Sequence, residues 1–255
     1  MSLTILWKTG ILIGNVAFLT GGYVLAKMLY KNYLNLKNES KRLKQDGQSN
    51  YQYLVDAFKD KVGEVVEIEN LSFIGTTQPI SNDSYVKSKV NNKERYICVQ
   101  GVLKEYGKNV IQTQWIQLFN LTENDHKVII QVKNKESFMP NLFKSLSAHQ
   151  DNQIGAQVKE AFSVDVTEKG IAFGTNLYVF GKFIKTKLGQ FKCVDSKLIC
   201  DAKDAASQTQ TYSYAFLVGA SCVVAFSLII SGICLYFTFG DDQKNTQKQK
   251  KAIKG

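Results

Sequence analysis

Two histidines, two arginines and two prolines in 255 residues limit what this chain can do. Imidazole is the commonest general acid or base and a frequent metal ligand, so its scarcity leaves little for proton-transfer catalysis. His126, in an Asn-Asp-His turn, and His149, in a Ser-Ala-His-Gln loop, share no local metal pattern and read as solvated loop residues. The cysteines, Cys98, Cys193, Cys200, Cys222 and Cys234, form no CxxC pair. Cys193 and Cys200 are read either as small buried hydrophobes or as partners in a disulfide across adjacent strands or a turn. No phosphate-binding GxxxxGK[ST] loop, HExxH, GxSxG or CxxCH occurs. The Gly170 to Gly174 stretch leads into a strand pattern and not a helix N-terminus, so it is no phosphate cradle. Arg42 and Arg95 are the only guanidinium groups, which argues against nucleic acid as a partner. These absences point to a chain with no catalytic, cofactor-binding or metal-binding residues and no small-molecule substrate.

What the sequence has instead is hydrophobicity in long runs. Residues 214–239 carry no charged side chain over 26 positions. A helix of that length is about 39 Å long, more than a hydrocarbon core of about 30 Å. Its Leu, Ile, Val and Phe residues favour insertion by roughly 4 to 8 kcal/mol, and this segment reads as a transmembrane helix. Residues 9–26 are shorter and include Asn15, but Trp7, Lys8, Tyr23, Lys27 and Tyr30 flank or overlap the run as residues suited to headgroup depth. Without a small-x-small cleavage site before the polar stretch, this segment reads as a retained anchor and not a signal peptide.

Small residues recur along both runs. Gly10, Gly14, Ala17 and Gly21 form a stripe on one face of the first helix, and Ala215 and Gly219, Ser221 and Ala225, and Ser227 and Ser231 share a four-residue spacing on the second. Between helices in lipid, close van der Waals contact drives association, and small residues permit it. The expectation is that the spans touch each other or partner helices through these faces.

Two spans place both termini on one side of a membrane and residues 27–213 on the other. Residues 27–50 read as a basic helical stalk and linker, with Leu29, Tyr33, Leu36 and Leu43 at helical spacing as far as the Asp46-Gly47 break. Tyr51, Leu54, Val55, Phe58 and Val62 mark a second amphipathic helix behind the candidate caps Ser49 and Asn50. From Val65 the period becomes two, in VVEIENLSF, YICVQGVLKEY, TQWIQLFNL, KVIIQVKN, LYVFGKFIK and QFKCVDSKLI. Gly101 and Gly181 inside such strands mark bulges or tight bends. FMPNLFKSLSAH and QIGAQVKEAFSVDV read as a helical insertion. The predicted fold class is an α+β membrane protein, two transmembrane helices flanking a β-rich domain (an antiparallel sheet or small barrel) at residues 51–210, between an N-terminal tip at 1–8 and a basic tail at 240–255.

Three segments carry a resemblance to a known family. VGEVVEIEN is similar to a lead into a first strand ending in an Ile-Glu-Gly turn, with Asn70 in place of Gly. WIQLFNLTENDHKVIIQV resembles an apolar strand, an acidic turn and an alternating Val strand. In the stretch from Gly170 to Leu198, Gly174, Leu177, Val179 and Gly181 match a Gly-x-x-Leu-x-Val-x-Gly pattern. The order of parts resembles the mitochondrial membrane-anchored RING ubiquitin ligases, whose two spans flank a beside-a-membrane or GIDE domain. The chain departs from that family where the chemistry lies, because beyond Cys234 it has no Cys or His with which to form the zinc sites of a RING.

The resemblance implies a mitochondrial membrane protein with its folded part in the intermembrane space, in the inner membrane or alternatively the outer. The function expected is that of a noncatalytic accessory subunit of a large inner-membrane complex, with a respiratory assembly the natural candidate. The alternative is a membrane adaptor derived from such a ligase after loss of its RING. The partners expected are other membrane subunits and, for the lysine-rich stalk and tail, anionic lipids, with cardiolipin the mitochondrial candidate. Sequons occur at Asn38, Asn70, Asn82 and Asn120, as expected by chance in an Asn-rich chain; glycosylation there would require a secretory location.

Overall fold

The computed structural model describes residues 3–46, 50–61, 63, 65–88, 94–105, 108–142, 144–146 and 167–252. It shows an α+β chain in which two long helices flank a β-rich region. Helix α1 spans Leu3–Asp46, and the last helix, α3, spans Ala205–Ala252. Both are long and apolar enough to cross a bilayer, and only 6% and 17% of their most apolar stretches are buried within the chain. The predicted stalk is continuous with the first span, and the polar tail continues α3 as helix. By contact density the chain divides into two compact units, Met1–Glu39 with Thr209–Gly255, and Ser40–Gln208.

The second unit begins with the end of α1 and the short helix α2, Tyr51–Phe58. Asn50 caps α2, its side chain accepting a hydrogen bond from the Tyr53 N–H at 3.0 Å. The helix stops at Phe58, short of the predicted Val62, which lies outside the described residues. Nine strands follow among the described residues: β1 (Val66–Gln78), β2 (Tyr96–Glu105), β3 (Lys108–Trp115), β4 (Leu118–Glu123), β5 (His126–Gln131), β6 (Lys144–Leu146), β7 (Thr167–Ala172), β8 (Asn176–Lys185) and β9 (Phe191–Asp201). Strands β1-β4-β5-β9-β8 close into a barrel, and β3-β2-β7-β6 form a separate sheet. The barrel is not purely antiparallel, because β5 pairs with β9 in parallel. This is the connectivity of a five-stranded Greek-key barrel of the OB type.

Alternation explains the core. Leu71 and Phe73, Phe119 and Leu121, Val128 and Ile130, Leu177 and Val179, and Phe191 and Cys193 belong to one buried cluster, and Leu54 and Phe58 of α2 join it. Asn124 and Asp125, at φ 45° and 69°, form the two-residue turn between β4 and β5. Positive φ at both positions matches the right-handed strand twist, and Asn and Asp tolerate it.

The structure corrects several expectations. TQWIQLFNL is two strands in different sheets. The Ile116 N–H bonds the Ile97 carbonyl of β2, while the Gln117 carbonyl accepts from Val132 just beyond β5, so the chain changes sheets between them. Where described, FMPNLFKSLSAH forms a 3-10 turn at Pro140–Leu142 followed by β6, not an α-helix; Pro140 lacks the N–H that a helix through this point would use. QIGAQVKEAFSVDV and His149 lie outside the described residues.

The two strand glycines behave differently. At Gly181 the β8–β9 register shifts, with Phe180 opposite Leu198 but Gly181 opposite Ser196. A Cβ there would overlap the Asp195 carbonyl oxygen. On the other side of β8, β1 bulges between Ile68 and Leu71, where Asn70 holds φ 61°. Gly181 is therefore the corner at which the barrel bends, flanked by irregularities in both neighbours. Gly101 sits in an unbroken part of the β2 ladder, and a Cβ there would make only ordinary contact with Glu168. Gly181→Ala should cost at least about 1 to 3 kcal/mol of unfolding free energy, as overpacking does, whereas Gly101→Ala should be neutral or stabilising by up to about 1 kcal/mol. Denaturant unfolding of both variants checks this, and equal effects would refute the assignment of the bend.

Candidate functional site

The sequence pointed to helix packing, and the first unit shows which faces pack. On α1 the buried residues Asn15, Ala26, Tyr33 and Leu36 and the half-buried Gly22 and Leu29 alternate at three- and four-residue steps. Positions 15, 22, 29 and 36 are spaced by seven, as in a coiled-coil seam. On α3 the buried positions are Thr209, Ser213, Ala220, Ser227, Ser231 and Thr238. The helices run antiparallel: Gly22 lies against Ser227 and Leu29 against Gly219, where an added Cβ would stand 3.7 Å from the leucine methyl.

At Gly22 a Cβ would overlap the Ser227 hydroxyl, so this glycine permits the close approach. Several hydroxyls near the seam satisfy themselves on their own helix. Thr238 donates to the Cys234 carbonyl at 2.6 Å and Ser213 to the Gln210 carbonyl at 2.7 Å. The Asn15 Oδ1 has no hydrogen-bond partner among the described residues.

Of the small residues singled out in the sequence, Gly219, Ser227 and Ser231 of α3 lie at this seam. Gly10, Gly14 and Gly21 have open space where a Cβ would stand, and Ala17 and Ala215 are exposed. The α1 stripe thus does not pack α1 on α3. It is turned by one residue, about 100° at 3.6 residues per turn, from the face carrying Asn15 and Gly22. The signal that finds the seam is the stalk pattern of Leu29 and Leu36: extended backwards in sevens, it reaches Gly22 and Asn15.

His126, Glu123 and Arg42 hold elements of the β-rich unit together. His126 is exposed at the start of β5, its ring stacked on Tyr51 of α2 at 4.0 Å. Glu123 accepts a hydrogen bond from the Tyr51 N–H at 2.6 Å, so the β4–β5 hairpin holds the first turn of α2 twice. Arg42, near the end of α1, donates to the Ser72 hydroxyl of β1 at 2.9 Å and lies over the Tyr53 ring at 4.0 Å. Among the described residues no three His, Cys, Asp or Glu side chains cluster as metal ligands would.

Cys98, Cys193 and Cys200 are buried free thiols. Cys193 and Cys200 lie seven residues apart on the single strand β9, about 23 Å at 3.3 Å per residue, so the disulfide considered above is geometrically excluded. Burial pushes all three thiols up to about 12, away from the thiolate form that nucleophilic or ligating cysteines need. The chain matches no known family profile, no curated protein and no solved structure.

Two predictions follow from this geometry. Gly22→Val should separate α1 from α3 and lower the thermal midpoint in detergent, by an overpacking penalty of about 1 to 3 kcal/mol. Gly14→Val should leave that midpoint unchanged, and a reversed order would place the seam on the other face. For the thiols, the unfolded chain releases protons from about pH 9 while the folded chain keeps them to about 12. Stability should therefore fall as pH rises through that window, and all three cysteines should resist maleimide at pH 8 until the chain unfolds. Fast labelling of Cys193 in the folded protein would contradict its burial.

Proposed function

We propose that this protein is a noncatalytic accessory subunit of a large mitochondrial inner-membrane complex, anchored by α1 and α3 with its β-rich unit in the intermembrane space. The observation that carries the subunit reading is the small-residue face of α1: Gly10, Gly14 and Gly21 stand open while the helix pair closes through a different face. Close packing is the main attraction between helices in lipid, and a neighbouring membrane subunit would find room for it here. Phe226, Tyr236 and Phe237 of α3 are also largely uncovered, as suits a surface facing lipid or neighbouring helices.

The mitochondrial assignment is supported by the resemblance to the beside-a-membrane domain. Asn70, where that family has Gly, holds the left-handed backbone that Gly favours, and Gly181 occupies the bend where a side chain would collide with β9. A respiratory assembly is the natural host. Lysines of the stalk and tail would meet anionic lipids, cardiolipin among them. The second reading, an adaptor that kept the ligase's membrane domain without its RING, rests on the same resemblance and differs in stoichiometry.

Mild detergent extraction, native electrophoresis and mass spectrometry separate the two. A subunit migrates with one large complex at constant stoichiometry, and Gly14→Leu should release it from that complex without altering the α1–α3 pair. Variable, substoichiometric capture would favour the adaptor, and migration as a lone small species would defeat both.

A further inference from the structure

Helix α1 has a third face, which neither the seam nor the small-residue stripe uses. Tyr23, Lys27, Tyr30, Leu34 and Lys37 recur at steps of four and three residues, so they form one strip along the helix, and all five are exposed. Lys37 is where this strip meets α3. Its ammonium lies 5.3 Å from the centre of the Tyr33 ring, which in turn lies 5.7 Å from that of Tyr30. Tyr214 of α3 also acts on this ammonium, and the Gln210 amide donates to the Tyr214 hydroxyl at 3.3 Å. A cation and three phenols thus gather at one end of the helix pair.

The pairing of the helices gives the cluster a depth. Gly22 lies against Ser227 and Leu29 against Gly219; carried on in step, this puts Tyr33 level with the beginning of the uncharged run 214–239. Tyrosine favours that level, where its ring meets the apolar boundary and its hydroxyl the headgroups. Lys27 lies six residues deeper, about 9 Å at 1.5 Å per residue. A lysine there keeps its charge out of hydrocarbon by reaching back toward the phosphates. Within the first unit the acidic residues are Glu39, Asp241 and Asp242. Glu39 is buried, and the two aspartates stand beyond the other end of the uncharged run, so the strip itself carries positive charge alone.

We propose that this strip holds one anionic phospholipid against the helix pair, its phosphate between Lys27 and Lys37 beside the Tyr30 and Tyr214 hydroxyls, and its acyl chains running down past Tyr23. Lysine binds phosphate as a point charge, and phenolic hydroxyls donate to it. The occupant is a lipid and not another helix, because Tyr and Lys side chains stand where close packing needs small residues. It is not a free anion either: Lys27 lies deeper than the boundary at which a soluble phosphate stops, whereas a lipid phosphate is tied to chains that already fill that depth. The site gives residues to the lipid contact proposed above, rests on α1 and α3 crossing the bilayer, and serves a subunit and an adaptor alike.

The test takes the full chain, after alkaline carbonate washing of its membranes, into a mild non-ionic detergent with equal amounts of phosphatidylglycerol and phosphatidylcholine. Native mass spectrometry then counts the lipid that stays bound. One phosphatidylglycerol per chain should be retained in preference to phosphatidylcholine. Lys27→Gln or Lys37→Gln should each lower that preference about 5-fold, as loss of about 1 kcal/mol per lysine near a surface implies. Lys27→Arg with Lys37→Arg should keep it, since the charge and the affinity for phosphate remain. Lys127→Gln with Lys135→Gln, the same loss of charge in the β-rich unit, should leave it unchanged. Retained far-ultraviolet dichroism and thermal midpoint show that the variants fold. Equal retention of the two lipids, or an equal fall in the control variant, overturns the site while leaving the anchoring intact. So does displacement of the bound lipid by inorganic phosphate, which would make the strip a site for a soluble anion. Release of the chain into the carbonate wash would defeat the anchoring and the site together.

Discussion

Two antiparallel helices that cover only a small part of each other's apolar surface impose one constraint on the molecule: whatever covers the remainder must come from outside the chain. In water such a surface would drive aggregation, and in lipid it needs no cover at all. The pairing that does exist is made by small and polar side chains. Gly22 against Ser227 sets the closest approach, and the hydroxyls of Ser213 and Thr238 return to their own helix. Asn15 is buried at the same seam with its side-chain oxygen unpartnered among the described residues, and polar groups in lipid are least costly where they face another helix.

The β-rich unit answers a different demand, that of closing a short sheet without leaving edges. Five strands do so by bending sharply at Gly181 and by pairing β5 with β9 in parallel. α2 contributes Leu54 and Phe58 to the barrel core, and it is held through Glu123, His126 and Arg42. Ser40 and Ala206 link the ends of the two long helices within this unit, through a hydrogen bond of 2.8 Å. One of the two arginines in the chain thus fastens the end of α1 to β1 and α2, a structural use that a scarce guanidinium serves well because its fork can donate while its face stacks.

Much of the architecture was legible in the residues. Uninterrupted apolar runs identified the long helices, period-two alternation identified six stretches of strand, and the interior glycine at 181 marked the bend. What was not legible has physical reasons. TQWIQLFNL keeps its alternation while the chain passes from one sheet to the other, so no pattern breaks at Ile116. β7, with TEKGIA, has too little alternation to declare itself and depends on pairing with distant β2. The α1 face of the helix seam was not singled out because a membrane helix is apolar all round and the visible stripe of small residues, Gly10, Gly14, Ala17 and Gly21, lies one residue away from Gly22. The cysteines of β9 could be paired on paper only until one strand was seen to carry both.

A chain that crosses the bilayer twice exposes its termini on one side and the residues between its long helices on the other. Single cysteines at Asp83 and Lys244, in a background without Cys222 and Cys234, can be probed with a membrane-impermeant maleimide in sealed, uniformly oriented vesicles after alkaline carbonate washing. The protein should stay with the membrane, with one position labelled at once and the other only after permeabilisation. Release into the wash, or labelling of both positions from the same side, would contradict a chain that crosses the bilayer twice.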